Sequence, residues 1–172
     1  HVGMDHMAAV YDTLMSQSKN HSITLAGHYA INSLRLEKGF RAWGHELSPD
    51  DNPFEAGLGF AVNLKKEQGF LGQEALTKIK AEPLRKRMAI FTLTDPNATL
   101  WGGEIIYRKE QVVGYTTSGS FGHSVGAGIA MGYVRNKDGV DRKFVMEGEY
   151  ALKVGDEMIP AKVHLKAPVS QP

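Results

Sequence analysis

No cysteine occurs in the 172 residues of this chain. Disulfides and thiolate chemistry are excluded, and a zinc ion would have to be held by histidines and carboxylates alone. An excess of charge is lacking too: 20 Lys+Arg face 19 Asp+Glu, a formal net charge of +1. That balance argues against a general polyanion binder, so no nucleic-acid partner is expected. No apolar run approaches the roughly 20 residues that cross a bilayer, so no membrane partner is expected either. The N-terminus shows no signal-peptide pattern, which says nothing of location if the chain is a piece of a longer one. What the chain does have is 42% hydrophobic residues, enough for a packed core.

The first half reads as mixed structure. Met7, Val10, Tyr11, Leu14 and Met15 fall at helical spacing and predict an amphipathic helix over Met7–Ser16. Ile23–Ala26 reads as a short strand or extended link. A second short helix is expected from His28 to Lys38, stopped by Gly39, with an extended end at Leu34–Leu36 as the alternative. Ser48-Pro49-Asp50-Asp51-Asn52-Pro53 is turn chemistry. Ala56–Leu64 alternates and suits a strand. Gly69–Lys80 looks like a loop entering a helix with Ala75, Leu76 and Ile79 as its buried stripe, stopped by Pro83.

Beyond Pro83 the texture changes, and a domain boundary is expected near residue 82. Six segments alternate apolar and polar residues: Arg87–Thr94, Glu104–Arg108, Gln111–Thr117, Gly128–Val134, Tyr150–Val154 and Glu157–Leu165. Turn formers separate them at short intervals, which predicts an antiparallel barrel or sandwich. The expected fold class is therefore α+β, with residues 1–82 mixed and residues 83–172 all-β.

Few motifs carry chemistry unaided. The glycine-rich run Gly119–Gly128 lacks the Lys-Ser/Thr of a phosphate loop and reads better as a barrel loop where two backbones approach closely. The seven histidines never fall at His-x-x-x-His spacing, so no metal site is expected; His45 and His123 read as solvated loop residues. The dense stretch is Leu34–Phe60, which gathers Arg35, Glu37, Lys38, Arg41, Trp43, His45, Glu46 and Glu55 around glycines and prolines. A carboxylate such as Glu37 beside an aromatic can accept paired N–H donors from a planar heterocycle. The plainer reading pairs Glu37 with Arg35 on the surface, and residue chemistry alone favours it.

A resemblance shifts that balance. Leu34-Arg35-Leu36-Glu37-Lys38-Gly39, then Pro53-Phe54-Glu55-Ala56-Gly57-Leu58, then Phe70-Leu71-Gly72-Gln73-Glu74-Ala75-Leu76, and in the expected barrel Val113–Gly119 and Ile129–Val134, resemble the aminomethyltransferase family of the glycine cleavage system. Glu37–Gly44, Asp50-Asp51 and the ending Ala161–Pro168 look like the C-terminal part of sarcosine and dimethylglycine dehydrogenases, a layout shared by the regulatory subunit of pyruvate dehydrogenase phosphatase.

The resemblance implies the C-terminal half of a tetrahydrofolate-binding α/β domain over residues 1–82, followed by a β-barrel. It implies capture of a one-carbon unit as 5,10-methylenetetrahydrofolate, in a parent whose upstream domain, absent from this chain, binds FAD and oxidises an N-methyl group. By itself the chain is expected to be inactive. Glu37 would accept hydrogen bonds from the pterin, Trp43 or Tyr29 would supply an aromatic wall, and Lys66, with Lys65, would meet the glutamyl tail. The setting implied is the mitochondrial matrix in a eukaryote and the cytoplasm otherwise. A non-catalytic regulatory protein on the same scaffold is the alternative. Gly122-His123 departs from the family's Ser-Pro and puts the shape of that loop in doubt.

Overall fold

The structure, a computed structural model, describes residues 1–169; residues 170–172, the end of the expected second domain, lie outside the described residues. The chain forms two compact units, His1–Ile31 and the remainder from Asn32 onward. In the first, α1 (Met7–Ser16) has the predicted bounds and α2 (Ser18–His21) follows it. Neither helix has a fully buried residue; of the apolar stripe of α1, Met7, Val10, Tyr11 and Leu14 are exposed and Met15 is half-buried. Ile23–Ala26 forms neither helix nor strand.

Helix α3 (His28–Glu37) is helical to its end, so the extended alternative at Leu34–Leu36 is not adopted. A left-handed Gly39 stops it (φ +68°). The Gly39 N–H reaches Leu36 O at 3.0 Å and the Phe40 N–H reaches Arg35 O at 2.8 Å, the paired bonds of a Schellman cap.

The predicted strand at Ala56–Leu64 does not form. Gly57 is left-handed (φ +71°), the Leu58 N–H turns back to Pro53 O at 2.7 Å, and a 3-10 turn covers Gly59–Ala61. Local bonds there take up the donors a sheet ladder would need. Helix α4 (Gln73–Ala81) forms as predicted, but its expected buried stripe does not. Leu76 and Ile79 are half-buried and Ala75 is exposed.

All six predicted strands form: β1 (Lys86–Leu93), β2 (Ile105–Arg108), β3 (Gln111–Gly122), β4 (Ala127–Arg135), β5 (Tyr150–Val154) and β6 (Glu157–His164). They close an antiparallel barrel in the order β1-β4-β3-β2-β5-β6. The five-residue helix α5 (Arg142–Met146) links β4 to β5, with the Asp141 carboxylate capping it through the Phe144 N–H. The glycine-rich run is the β3–β4 hairpin rather than a long loop. The close backbone approach expected of it is present: a Cβ on Gly119 would stand 2.8 Å from the Gly102 nitrogen.

The barrel strands divide their buried side chains between two clusters. On β4 the small Ala130 joins the cluster of Ala89, Phe91, Val134 and Leu152, while Ile129, Met131 and Tyr133 point the other way. There they meet Met88, Ile90 and, from α3, Leu36. Because the segment carrying Leu36 covers them, β1 and β4 are buried on both faces along most of their length. This packing brings the end of α3 against the β3–β4 hairpin.

Candidate functional site

Glu37, the last residue of α3, is 2% exposed. Its Oε1 accepts the Ser124 N–H at 2.6 Å and the Val125 N–H at 3.2 Å, and its Oε2 accepts the Ser124 hydroxyl at 3.0 Å. Two glycines shape this turn. Gly126 is left-handed (φ +76°), and a Cβ on Gly122 would stand 3.2 Å from Glu37 Oε1. One turn earlier on the helix, the Ser33 hydroxyl donates to Phe121 O at 2.6 Å. The helix is thus pinned to the hairpin along one face.

The pairing of Glu37 with Arg35 does not form. Residues two apart on a helix face different directions. Arg35 instead pairs with Glu46 at 2.6 Å, donates to the Ser118 hydroxyl at 2.7 Å and binds Asn32 Oδ1 at 2.9 Å. Glu46 is fully buried, and both of its carboxylate oxygens are bonded: Oε2 also accepts the Ala42 N–H at 2.9 Å, and Oε1 accepts the Thr117 hydroxyl at 2.9 Å. Tyr133 donates to Glu46 O at 2.9 Å. Burial raises the Tyr133 phenol pKa, with the charges of Asp51 and Glu55 adding to it, so the ring remains a donor.

The remaining charged residues of the stretch tie it together. Arg41 donates to Ala56 O at 3.0 Å and Gly39 O at 2.6 Å, and burial lowers its pKa against the pull of Tyr133 and Glu46. Lys86 on β1 holds Asp51 at 2.7 Å and lies 5.1 Å from the Tyr133 ring centre. For Asp51, burial pushes the pKa up, but the hydrogen bonds from Lys86 and Ser48 and the charge of Lys86 bring it below its ordinary value.

The sequence-predicted residues fall into two groups. Glu37 is buried and bonded to the hairpin, whereas Trp43 and Tyr29 are 71% and 78% exposed. Lys66 is exposed and carries no ion pair among the described residues, and Tyr29 lies edge-on to His28. The hydrogen-bond partners of Glu37 are Ser124 and Val125, not any of these three. Sequence reasoning missed Ser124 and Val125 because nothing local links them to a residue 87 positions away. Glu46 stood within the dense stretch, where nothing in the sequence marked it for complete burial.

Chemically, Glu37 has little capacity left. A carboxylate offers about four acceptor positions, and three are filled. The open one is on Oε2, beside the Ser124 hydroxyl. Of the three donors, only that hydroxyl can swing away without moving backbone.

Residues 1–66 match the GCVT N-terminal domain, and residues 86–169 match the glycine cleavage T-protein C-terminal barrel domain. A mitochondrial sarcosine dehydrogenase of Mus musculus is 42% identical over 98% of this chain and 18% of its own length. The mitochondrial regulatory subunit of pyruvate dehydrogenase phosphatase from the same species is 33% identical over 96% of this chain and 20% of its own length. Dimethylglycine dehydrogenases match as well. Among solved structures, the glycine cleavage system aminomethyltransferase T of Bartonella henselae superposes with a TM-score of 0.76 at 27% identity, covering 95% of this chain and 44% of that one. The chain therefore spans about a fifth of the length of its dehydrogenase relatives.

Proposed function

The chain belongs to the glycine cleavage T-protein family, and from that premise we propose that it is a tetrahydrofolate-binding part of a sarcosine/dimethylglycine dehydrogenase-like protein. One observation carries the reading: the similarity to sarcosine dehydrogenase extends over 98% of the chain, helical segment and barrel alike. The chemistry is capture of a one-carbon unit as 5,10-methylenetetrahydrofolate. Tetrahydrofolate, when bound, supplies the nitrogen nucleophiles for that capture. The FAD-dependent oxidation belongs to an upstream domain of the parent, and this chain alone is inactive in it.

Within this reading Glu37 is the pterin acceptor. A pterin edge presenting two N–H groups needs two acceptor positions, and the Ser124 hydroxyl must release Oε2 to provide the second. Trp43 or Tyr29, each exposed, supplies an aromatic wall, and Lys66 an exposed cation for the glutamyl tail. The domain division follows the change in texture, residues 1–82 and 83–172. The compartment is the mitochondrial matrix in a eukaryote, in keeping with the relatives' names, and the cytoplasm otherwise. No described helix is long and apolar enough to cross a membrane.

The second reading, a non-catalytic regulatory protein on the same scaffold, rests on the similarity to the phosphatase regulatory subunit over 96% of the chain. Calorimetric titration of tetrahydrofolate into wild type and Glu37→Gln tests the first. The expected result is saturable binding that the substitution weakens by about tenfold to a hundredfold, from loss of a charge-assisted bond. Equal affinity of the two forms removes Glu37 from the site. Absence of binding by the wild type returns the chain to the regulatory reading.

A further inference from the structure

Arg87 on β1 differs from its neighbour Lys86. Lys86 is held by Asp51 and Glu55, at 2.7 and 3.7 Å. Arg87 makes no ion pair with any described residue, and its Nε is buried with no hydrogen-bond partner. A guanidinium that is partly desolvated and unpaired is costly, and such groups in native proteins ordinarily have an acceptor.

The side chain opens on a cavity of about 420 Å³ lined by Phe54, Phe60, Lys80, Glu82, Leu84 and Arg87. Two cations there face one carboxylate, and neither forms an ion pair with Glu82. Two aromatic rings form another wall. Phe60 is 87% exposed, while Phe54 lies so close to Gly59 that a Cβ there would stand 3.0 Å from its Cδ1. On its other side Arg87 borders a second cavity, where Asp138 and Asp141 balance it and Arg142. The excess of positive charge is on the Phe60 side.

We propose that this cavity is a binding site for a small aromatic carboxylate, the acid group on the Arg87 guanidinium with Lys80 beside it and the ring against Phe54 and Phe60. Arg suits this role because its planar fork matches a carboxylate and its charge tolerates partial burial. The volume lies within the ordinary range for small-molecule sites. The site shares no residue with Glu37 or its hairpin, so it stands apart from the folate reading.

Benzoate, titrated into the 172-residue chain at constant ionic strength, is the probe. Saturable shifts of the Gly57, Gly59 and Arg87 amide resonances are expected. Acetate, which lacks the ring, and benzyl alcohol, which lacks the charge, should each bind at least about tenfold more weakly. Arg87→Met should abolish the saturable shifts and Arg87→Lys should weaken them, with each variant's thermal midpoint showing that it is folded. Shifts that fail to saturate, that persist in Arg87→Met, or that acetate reproduces at equal concentration overturn the proposal.

Discussion

Glu37 and Ser124 are joined twice, through the serine N–H at 2.6 Å and its hydroxyl at 3.0 Å, across 87 residues of sequence. The carboxylate that ends α3 thereby holds the hairpin that connects β3 to β4. In the proposed function a pterin would use the same two oxygens, and the hairpin and the ligand would then draw on one acceptor.

That competition has a measurable consequence. Ser124→Ala removes the rotatable donor from Oε2 and leaves both backbone bonds in place. If Glu37 is the pterin acceptor, the variant should bind tetrahydrofolate more tightly by about 1 kcal/mol, roughly fivefold, by calorimetry. Unchanged or weaker binding would place the pterin elsewhere.

Glu46 is the more important carboxylate for stability. Replacing it with alanine leaves the Arg35 guanidinium without its ion-pair partner and frees the Ala42 N–H and the Thr117 hydroxyl. Loss of one member of a buried pair costs about 3–5 kcal/mol. Urea unfolding of Glu46→Ala should show a loss in that range, while Lys65→Ala, at an exposed turn, should stay within about 0.5 kcal/mol of wild type.

Gly119→Ala tests the hairpin's close approach. The new Cβ would stand 2.8 Å from both the Gly102 nitrogen and the Leu100 carbonyl carbon, backbone atoms that cannot rotate aside. A loss of about 1–3 kcal/mol is expected from overpacking. Gly3→Ala, where nothing lies within 4 Å, is the matched control and should leave the melting temperature unchanged.

His164 sets a pH dependence. Its Nε2 lies 2.9 Å from the Thr92 hydroxyl, and burial, helped by the charge of Lys162, lowers its pKa. The unfolded chain therefore binds the proton more readily than the folded one. This contribution to stability is fully present above the ordinary histidine value of about 6.5 and is lost as pH falls through the folded pKa. His164→Gln should flatten the decline in stability below about pH 6.5 in denaturant titrations. An unchanged slope would assign that decline to other groups.

The proposed domain division is open to limited proteolysis. Ala81, Glu82 and Pro83 are all exposed, whereas β1 from Met88 to Leu93 is buried. Within residues 32–169 the first cut should fall at 81–83, read by mass spectrometry of the fragments. A first cut inside residues 87–165 would place the joint elsewhere.

Much of the barrel was legible because strand formation in a small antiparallel sheet depends on local alternation and on the turn residues between segments. Five strands lie within two residues of their expected bounds, while β3 runs five residues past Thr117, to Gly122. The end of α3 at Gly39 was legible for a similar reason, since a left-handed glycine acts on its own turn. Three features were decided only by tertiary structure. Ala56–Leu64 alternates like a strand, yet among the described residues it pairs with no strand, and a left-handed Gly57 folds it back on itself. The strands β1 and β4 are buried on both faces because Leu36 and its neighbours cover them from outside, which no pattern within the strands records. The partners of the two key carboxylates were likewise invisible. Charge and proximity in sequence suggested Arg35 with Glu37, but a helix turns residues two apart to different faces, leaving Glu37 to the hairpin and Arg35 to Glu46.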